Sequence, residues 1–360
     1  MAAPTEIYID PSIAADSGTG TIGDPYGDLQ YALNTATQDG TSGNRFNIKA
    51  GTYEVVASAL TYTGTYGNPG GGTPLIFQGY TSAAGDGGLG QIDFNGGSHS
   101  FCAADAYVVF VDLECKNGTG TFLDIAQTNQ MAIRCTFHDT TGMAVNNGGR
   151  GIHYCTFYDC ATGTDAGHVH FCRFYNGAVR DFTTCYNGST HSHSYVTNNT
   201  FELDGASNAI TVKNYYTIDN NSIYGGGSTG YGIQTQSSLS VTIRNNIITD
   251  FSGAGGIGLD GVSLTAEHGI FAGNSFWNNT TEYDAIDSYF ASGNETLGST
   301  PFTDGSTGDF TPLDVGSVIG GAFPAAIGSQ TLNLNRGAVQ SAAGGGGGLL
   351  RVGMSGGMNG

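Results

Sequence analysis

A six-residue pattern of apolar positions recurs along the middle of the chain. Each copy has an apolar residue, two variable residues, a Cys or Asn, one further residue and a second apolar residue. The clear copies are Ala132–Phe137, Ile152–Phe157, Val169–Phe174, Val196–Phe201, Ile218–Ile223, Ile243–Ile248 and Phe271–Phe276. Repetition of one short unit is typical of a solenoid, in which each copy belongs to one coil.

The Cys or Asn of each copy marks the repeat. We call these residues the anchors: Cys135, Cys155, Cys172, Asn199, Asn221, Asn246 and Asn274. Successive anchors are about 23 residues apart on average, and turn residues rather than helical periodicity fill the intervals between them. The spacing predicts an all-β chain, a parallel β-helix with one copy in each coil.

Each copy predicts a bend. Its two apolar positions are five residues apart, so an uninterrupted strand would place them on opposite faces. A bend at the anchor turns both inward, and Asn tolerates the left-handed backbone that such a bend needs. Asn side chains on successive coils can also form a hydrogen-bonded ladder, while Cys would serve as a small buried apolar residue. The second apolar positions are predicted to be core: Phe137, Phe157, Phe174, Phe201 and Phe276.

Through these repeated six-residue copies the chain resembles the right-handed parallel β-helix, or pectate-lyase-like, superfamily over roughly residues 1–340. Pro25–Asp39 has apolar residues at helical spacing and resembles the helix that caps the open end of such a solenoid. The resemblance implies a segment with this capping helix (1–50), the β-helix (51–280) and a closing segment (281–340). Upstream of Ala132 the pattern blurs, and Val108–Leu113 fits it only with Val111 as the anchor.

Composition narrows the classes of partner. Thirty acidic residues against eleven basic ones give a net charge of −19, which opposes binding to nucleic acid. No apolar run is long enough to span a membrane, and the first residues lack the order of a secretory signal. The seven cysteines are an odd number without metal-ligand spacing, so we expect buried thiols, with Cys155 and Cys160 as the pair to test for a disulfide.

Catalytic motifs are missing from the repeats. The hydrolases of the resembled superfamily carry N-T-D, D-D, G-H-G and R-I-K, and this chain has none of them. Its nearest approaches are the partial matches Ala166–His168 and Thr211–Asn214. Lyases of the superfamily place Arg or Lys beside an acidic cluster, whereas most coils here have no Lys and at most one Arg. No catalytic residue or cofactor is therefore assigned, and the balance favours a protein that is not an enzyme.

Histidines and N-terminal aspartates are the candidate metal ligands. Either a metal site or an outward stack could be formed by the candidate histidines His138, His153, His168, His170, His191 and His193, of which the last four form H-x-H pairs. We expect His153 and His170 to stack on successive coils. Calcium is a weaker alternative to ordinary turn chemistry at Asp10, Asp16 and Asp24. Aromatic residues outside the repeat would line a sugar-binding groove or form a packed cover: Tyr215, Tyr216 and Trp277.

The last twenty residues, 341–360, are rich in glycine and carry scattered apolar side chains. These are Leu349, Leu350, Val352, Met354 and Met358. Glycine permits close approach of backbones, so this pattern indicates an arm that binds another subunit during assembly.

The function favoured by these observations is structural. We expect a component of a large assembly, a bacteriophage capsid decoration protein or a short spike, located in the virion and bound to other virion proteins. Resemblance to phage spikes implies a homotrimer. The alternatives are an extracellular polysaccharide lyase or glycosidase, and a secreted or surface adhesin that binds glycans.

Overall fold

The computed structural model describes residues 3–37, 39–55, 60–62, 75–103, 107–124, 129–146, 151–176, 182–188, 194–261, 269–284, 290–313 and 315. In these ranges no helix has the length and apolar character needed to cross a membrane. The predicted arm residues, His191 and His193 lie outside them, as does most of the closing segment beyond residue 313.

Strands dominate the described chain. They are β1 (Thr5–Ile9), β2 (Asn44–Lys49), β3 (Thr52–Glu54), β4 (Leu60–Tyr62), β5 (Leu75–Tyr80), β6 (Gly90–Asp93), β7 (Phe101–Ala103), β8 (Val108–Val111), β9 (Leu113–Gly118), β10 (Leu123–Asp124), β11 (Met131–Ile133), β12 (Thr136–Asn146), β13 (Gly151–His153), β14 (Thr156–Thr164), β15 (His168–His170) and β16 (Arg173–Tyr175). They continue as β17 (Thr184–Gly188), β18 (Ser194–Thr197), β19 (Thr200–Glu202), β20 (Asn208–Asp219), β21 (Ser222–Tyr224), β22 (Tyr231–Arg244), β23 (Ile247–Thr249), β24 (Ile257–Asp260), β25 (Gly269–Ala272), β26 (Ser275–Trp277), β27 (Thr281–Asp284), β28 (Phe290–Ser292), β29 (Glu295–Thr296), β30 (Phe302–Asp304) and β31 (Asp309–Pro312).

Apart from β30 and β31, which form a separate antiparallel pair, the strands stack in parallel as three sheets around one core. The predicted all-β solenoid is therefore confirmed, with about 24 residues per turn. The first sheet contains β1, β2, β5, β8, β11, β13, β15, β18, the end of β20, the end of β22, β25 and β28. The second contains β3, β6, β9, the starts of β12 and β14, β16, β19, β21, β23, β26 and β29. The third contains β4, β7, β10, the ends of β12 and β14, β17, the starts of β20 and β22, β24 and β27.

The core follows from the repeat. The five phenylalanines predicted to be core are fully buried. Phe157 and Phe174 stack at 4.7 Å between ring centroids, and Phe174 and Phe201 at 4.8 Å, both nearly parallel. Parallel strands place identical positions of successive coils above one another, so a repeated Phe becomes a stack of rings.

The bend between the first and second sheets lies one residue earlier than predicted. Positive φ occurs at the residue before the anchor, as at Tyr154, Phe171 and Asn198, and the anchors themselves do not have it. Asn at the anchor therefore serves hydrogen bonding rather than backbone conformation. The left-handed position is filled by different residue types in different coils, and that variety hid it in the sequence.

The anchors form the predicted ladder. Each Asn Oδ1 accepts from the backbone N–H of the anchor in the preceding coil, at 2.8 Å from Cys172 to Asn199 and 3.0 Å from Asn199 to Asn221. The ladder continues through Asn246 and Asn274 and extends one coil further than predicted, to Asn294, which accepts from Asn274 at 2.9 Å.

At the cysteine anchors a thiol occupies the same place. The backbone N–H of Cys135 donates to Sγ of Cys155 at 3.4 Å, and that of Cys155 to Sγ of Cys172 at the same distance. Cys155 and Cys160 are both free and buried, so the disulfide considered for them does not form. Burial raises the pKa of Cys155 well above its ordinary value.

Upstream, the assignment of Val111 as an anchor is wrong. Ala132 pairs with Phe110 and Phe137 with Cys115, which places Leu113 opposite the anchor Cys135. Cys115 is therefore in phase and buried, in the position that Phe occupies in later coils.

The N-terminal end carries the expected helix, shorter than the apolar spacing indicated. Helix α1 spans Leu29–Thr35 and buries Leu29, Ala32 and Leu33. The side chain of Asp28 caps it by accepting from the backbone N–H of Tyr31 at 2.7 Å.

Candidate functional site

An outward column of aromatic rings lies on the second sheet. Strands alternate their side chains, so the residue after each buried Phe points outward. His138, Tyr158 and Tyr175 occupy this position in three successive coils and are in register. Their ring centroids are 4.4 Å and 5.0 Å apart, with planes within 14° of parallel. We call these three residues the aromatic column. Because the ring faces stack on one another, the column presents ring edges and tyrosine hydroxyls outward.

One end of the aromatic column is held by carboxylates. His138 Nε2 lies 2.9 Å from Oε1 of Glu114, and Nδ1 lies 2.7 Å from Oδ2 of Asp139. Both ring nitrogens of His138 are thus engaged by carboxylates, which fixes the orientation of the ring. Although burial opposes it, hydrogen bonds from His138 and Gln91 hold the pKa of Glu114 below its ordinary value.

The other end leads to a pocket. Glu202 and Tyr224 follow Tyr175 in the same register position. The Arg173 guanidinium lies 4.5 Å from the centroid of the Tyr175 ring and pairs with Glu202 at 3.1 Å. A cavity of about 220 Å³, which we call the pocket, is lined by Asn176, Glu202, Leu203, Asp204, Tyr224, Gly226 and Ser306.

Burial is the main cause that raises the pKa of Glu202. The pairing with Arg173 opposes this shift, while the charges of Asp204 and Asp304 add to it. A partly buried carboxyl with a raised pKa in a cavity is a common feature of functional sites.

A C-terminal hairpin builds one wall of the pocket. It consists of β30, a 3₁₀ turn at Gly305–Thr307 and β31. Phe302 and Phe310 pack with Ile247, and Tyr224 and Trp277 lie against this cluster. Trp277 is thus part of a packed cover, one of the two predicted alternatives. Gly305 permits the close approach, since a Cβ there would lie 2.7 Å from the Tyr224 ring.

The remaining aromatic candidates do not join this site. Tyr216 is buried and its hydroxyl donates to the carbonyl of Gly188, while Tyr215 is exposed. Both belong to the end of β20 in the first sheet. Tyr158 and Tyr175 were missed in the sequence, and His138 was considered only for a metal site or a histidine stack. A signal existed, because each of the three directly follows the second apolar residue of a repeat copy.

Three of the candidate histidines, His153, His168 and His170, lie on the first sheet. His153 and His170 stack with ring centroids 5.2 Å apart, as predicted, and His168 lies 6.1 Å from His170. His138 is in the second sheet and does not meet them. Among the described residues no group of three or more His, Cys, Asp or Glu side chains is arranged to hold a metal ion.

Acid should destabilise the protein through His170. Burial, with the charges of His153 and His168, lowers the pKa of His170 from 6.5 to about 4. The unfolded chain therefore binds a proton that the folded chain does not, and stability should fall from about pH 6.5 towards pH 4, by on the order of 2 kcal/mol after allowance for solvent screening. Urea unfolding across this range should show a shallower pH dependence for His170→Thr, because Thr197 occupies the same position in the next coil. His99→Gln, outside the stack, is the control, and an unchanged slope in His170→Thr would contradict the assignment.

An exposed aromatic pair marks the bend beside these histidines. Tyr154 and Phe171 are 46% and 49% exposed and stack at 5.1 Å. Both have left-handed backbone, with φ of 58° and 57°, which bulky residues rarely adopt. The corresponding residues of later coils are Asn198, Asn220 and Asn245.

The N-terminal aspartates serve local structure. Asp10 pairs with Lys49 at 2.6 Å and accepts from Ser12, and Asp24 accepts from Thr19 at 2.9 Å. Asp16 has left-handed backbone in an exposed turn. These contacts fit the turn chemistry that was weighed against calcium.

Comparison with known proteins identifies the fold. No protein-family model and no curated protein sequence matches the chain. The pectate lyase Pel9A matches in structure with a TM-score of 0.55 at 15% identity, over 94% of this chain and 97% of its own. A rhamnogalacturonan lyase matches with a TM-score of 0.48 at 11% identity, over 83% and 91%. Tailspike protein 3 of bacteriophage CBA120 matches with a TM-score of 0.32 at 11% identity, over 78% and 55%. The chain has the right-handed parallel β-helix fold of the pectate-lyase-like proteins.

Proposed function

We propose that this protein is a glycan-binding spike or decoration component of a large assembly such as a virion, and that it holds its ligand without cleaving it. The observation that carries the binding role is the aromatic column leading into the pocket. Hydroxyl edges, carboxylates and an amide line one continuous outward track. Polyhydroxylated ligands need many such donors and acceptors on a rigid surface.

The rigidity of this track comes from the solenoid. Each outward ring follows a fully buried Phe of the same strand, so its backbone position is fixed by the core. A site built on strands loses little conformational entropy when a ligand binds. The assembly role is supported by the Gly-rich sequence after residue 340 with its apolar residues, which suits attachment to a second protein.

Binding should depend on the two tyrosines. Tyr158→Ala and Tyr175→Ala are each expected to weaken glycan binding about tenfold, because each removes a hydroxyl edge and one support of the ring stack. Affinity electrophoresis against a panel of polysaccharides measures this, followed by titration calorimetry with the glycan that binds.

Tyr195→Ala is the matched control, since Tyr195 is an exposed tyrosine on the first sheet. Equal losses in all three variants would contradict a site on the second sheet. Release of reducing ends or of unsaturated products from the bound glycan would contradict binding without cleavage. Electron microscopy of native particles, with labelled antibody against the protein, tests the assembly role.

A polysaccharide-cleaving enzyme is the second candidate, and Glu202 is the observation that favours it. Its raised pKa and its place in the pocket suit a general acid, with Asp204 as the second carboxyl. In that case Glu202→Gln would abolish cleavage while leaving binding largely intact.

A further inference from the structure

We infer that the glycan bound by the aromatic column and the pocket is free of acidic groups, either neutral or amino-bearing, and that polyuronates are rejected. This inference rests on the proposed binding function and names its ligand class. It follows from the distribution of charge around the track.

Carboxylates outnumber bases along this track. Of the described residues, seven carboxylates act on the column or the pocket: Glu114, Asp139, Asp159, Glu202, Asp204, Asp250 and Asp304. The bases beside them are Lys116, His138 and Arg173. The whole chain adds to the same field, with its net charge of −19.

The one arginine of the track is already engaged. Arg173 pairs with Glu202 and lies over the Tyr175 ring, so its guanidinium has a carboxylate on one side and an aromatic face on another. The other described arginines near the bend are also paired, Arg134 with Asp112 and Arg244 with Asp219, both at 2.7 Å. A uronate carboxylate is normally bound by an arginine that can offer it two hydrogen bonds. Here it would have to displace an existing carboxylate partner.

The pocket favours ligand groups that donate hydrogen bonds or carry a positive charge. Glu202 and Asp204 both line it, and Asp204 accepts from the Asn176 side chain. A hydroxyl donates to such oxygens without a charge penalty, and an ammonium gains a favourable charge interaction. An acidic sugar meets repulsion at the same place.

The test compares ligands that differ in charge. The purified full chain is titrated at low salt with a neutral glucan, a neutral galactan, chitosan, polygalacturonate and alginate. We expect at least one neutral or amino-bearing polymer to bind, and the two polyuronates to bind at least about tenfold more weakly. Raising the salt to about 0.5 M should narrow the difference, because screening shortens the range of the repulsion.

Two charge-removing variants sharpen the test. Glu202→Gln keeps the shape of the side chain and releases Arg173 from its partner, so it should gain affinity for polygalacturonate. Asp204→Asn should weaken chitosan binding. The control is Asp16→Asn, which removes the same charge in an exposed N-terminal turn where Asn tolerates the left-handed backbone. Asp16→Asn should change neither the affinity for polygalacturonate nor the affinity for chitosan.

Polyuronate binding equal to or tighter than that of every neutral and amino-bearing polymer would overturn the inference and leave the binding function standing. Binding to none of the five polymers would overturn the proposed binding function, and the inference with it.

Discussion

Asn221→Ala should lower the free energy of unfolding by about 3 kcal/mol or more. Oδ1 of Asn221 accepts from the backbone N–H and the side-chain amide of Asn199, both at 3.0 Å. Its Nδ2 donates to the carbonyl of Val196 and to Oδ1 of Asn246, both at 2.9 Å. All of these groups are in the closed interior, so truncation leaves buried donors and acceptors without partners, and each costs about 1–3 kcal/mol. Urea unfolding followed by the fluorescence of Trp277 measures the change.

Asn221→Cys is the matched control. Cys already serves as the anchor in three coils, and at two of them, Cys155 and Cys172, Sγ accepts the backbone N–H of the anchor before it. Asn221→Cys should therefore lose less stability than Asn221→Ala, since one weak acceptor is retained. Equal losses in the two variants would show that neither the volume nor the acceptor that Cys retains replaces the amide, and would contradict the equivalence of Cys and Asn as anchors.

Phe174→Ala should cost about 3–5 kcal/mol. The Phe174 ring is fully buried and lies between those of Phe157 and Phe201, so its removal opens a cavity that rigid strands above and below cannot close. The same unfolding measurement applies.

Phe171→Asn, three residues away, is the control for this loss. Phe171 is half exposed, and its left-handed backbone suits Asn better than Phe. The variant should be neutral or slightly stabilising, although the stack with Tyr154 is lost. A loss comparable to that of Phe174→Ala would mean that the exposed pair supports the fold, and would contradict the division between inner and outer rings.

The inward-facing residues of each coil could be predicted from the sequence, whereas the types of the outward-facing residues could not. Phe157 and Phe174 repeat because every coil must fill the same space above the last, and a repeated requirement leaves a repeated residue type. Tyr158 and Tyr175 point away from the core, where neighbouring coils place His138 or Glu202 at the same register position. No common residue type marks such a position, so the only sequence signal for it is its place directly after the second apolar residue of each copy.

Two errors in the predicted coils have the same origin. The left-handed position is occupied by Asp, Arg, Tyr, Phe, Asn or Gly in different coils, so no constant residue type marks it. The bend was therefore attributed to the more constant anchor beside it. Leu113 was taken as the second apolar residue of the copy Val108–Leu113, because without a Cys or Asn in this copy the pattern did not fix which residue is the anchor. The pocket was beyond prediction for another reason, because it joins Asn176 and Glu202 to Ser306, about a hundred residues later in the chain.

That long separation orders events during synthesis. Coils can stack as they emerge from the ribosome, since each contacts only its neighbours in sequence. The hairpin that contributes Ser306 is made long after the strands it covers, and Phe302 and Phe310 must dock on Ile247 before the wall exists. In a nascent chain the coils thus form before the pocket is complete. A chain terminated before residue 302 would keep the coils and lose the wall that closes the cavity. Ligand binding in the pocket would then distinguish full-length molecules from truncated ones that have the same coils.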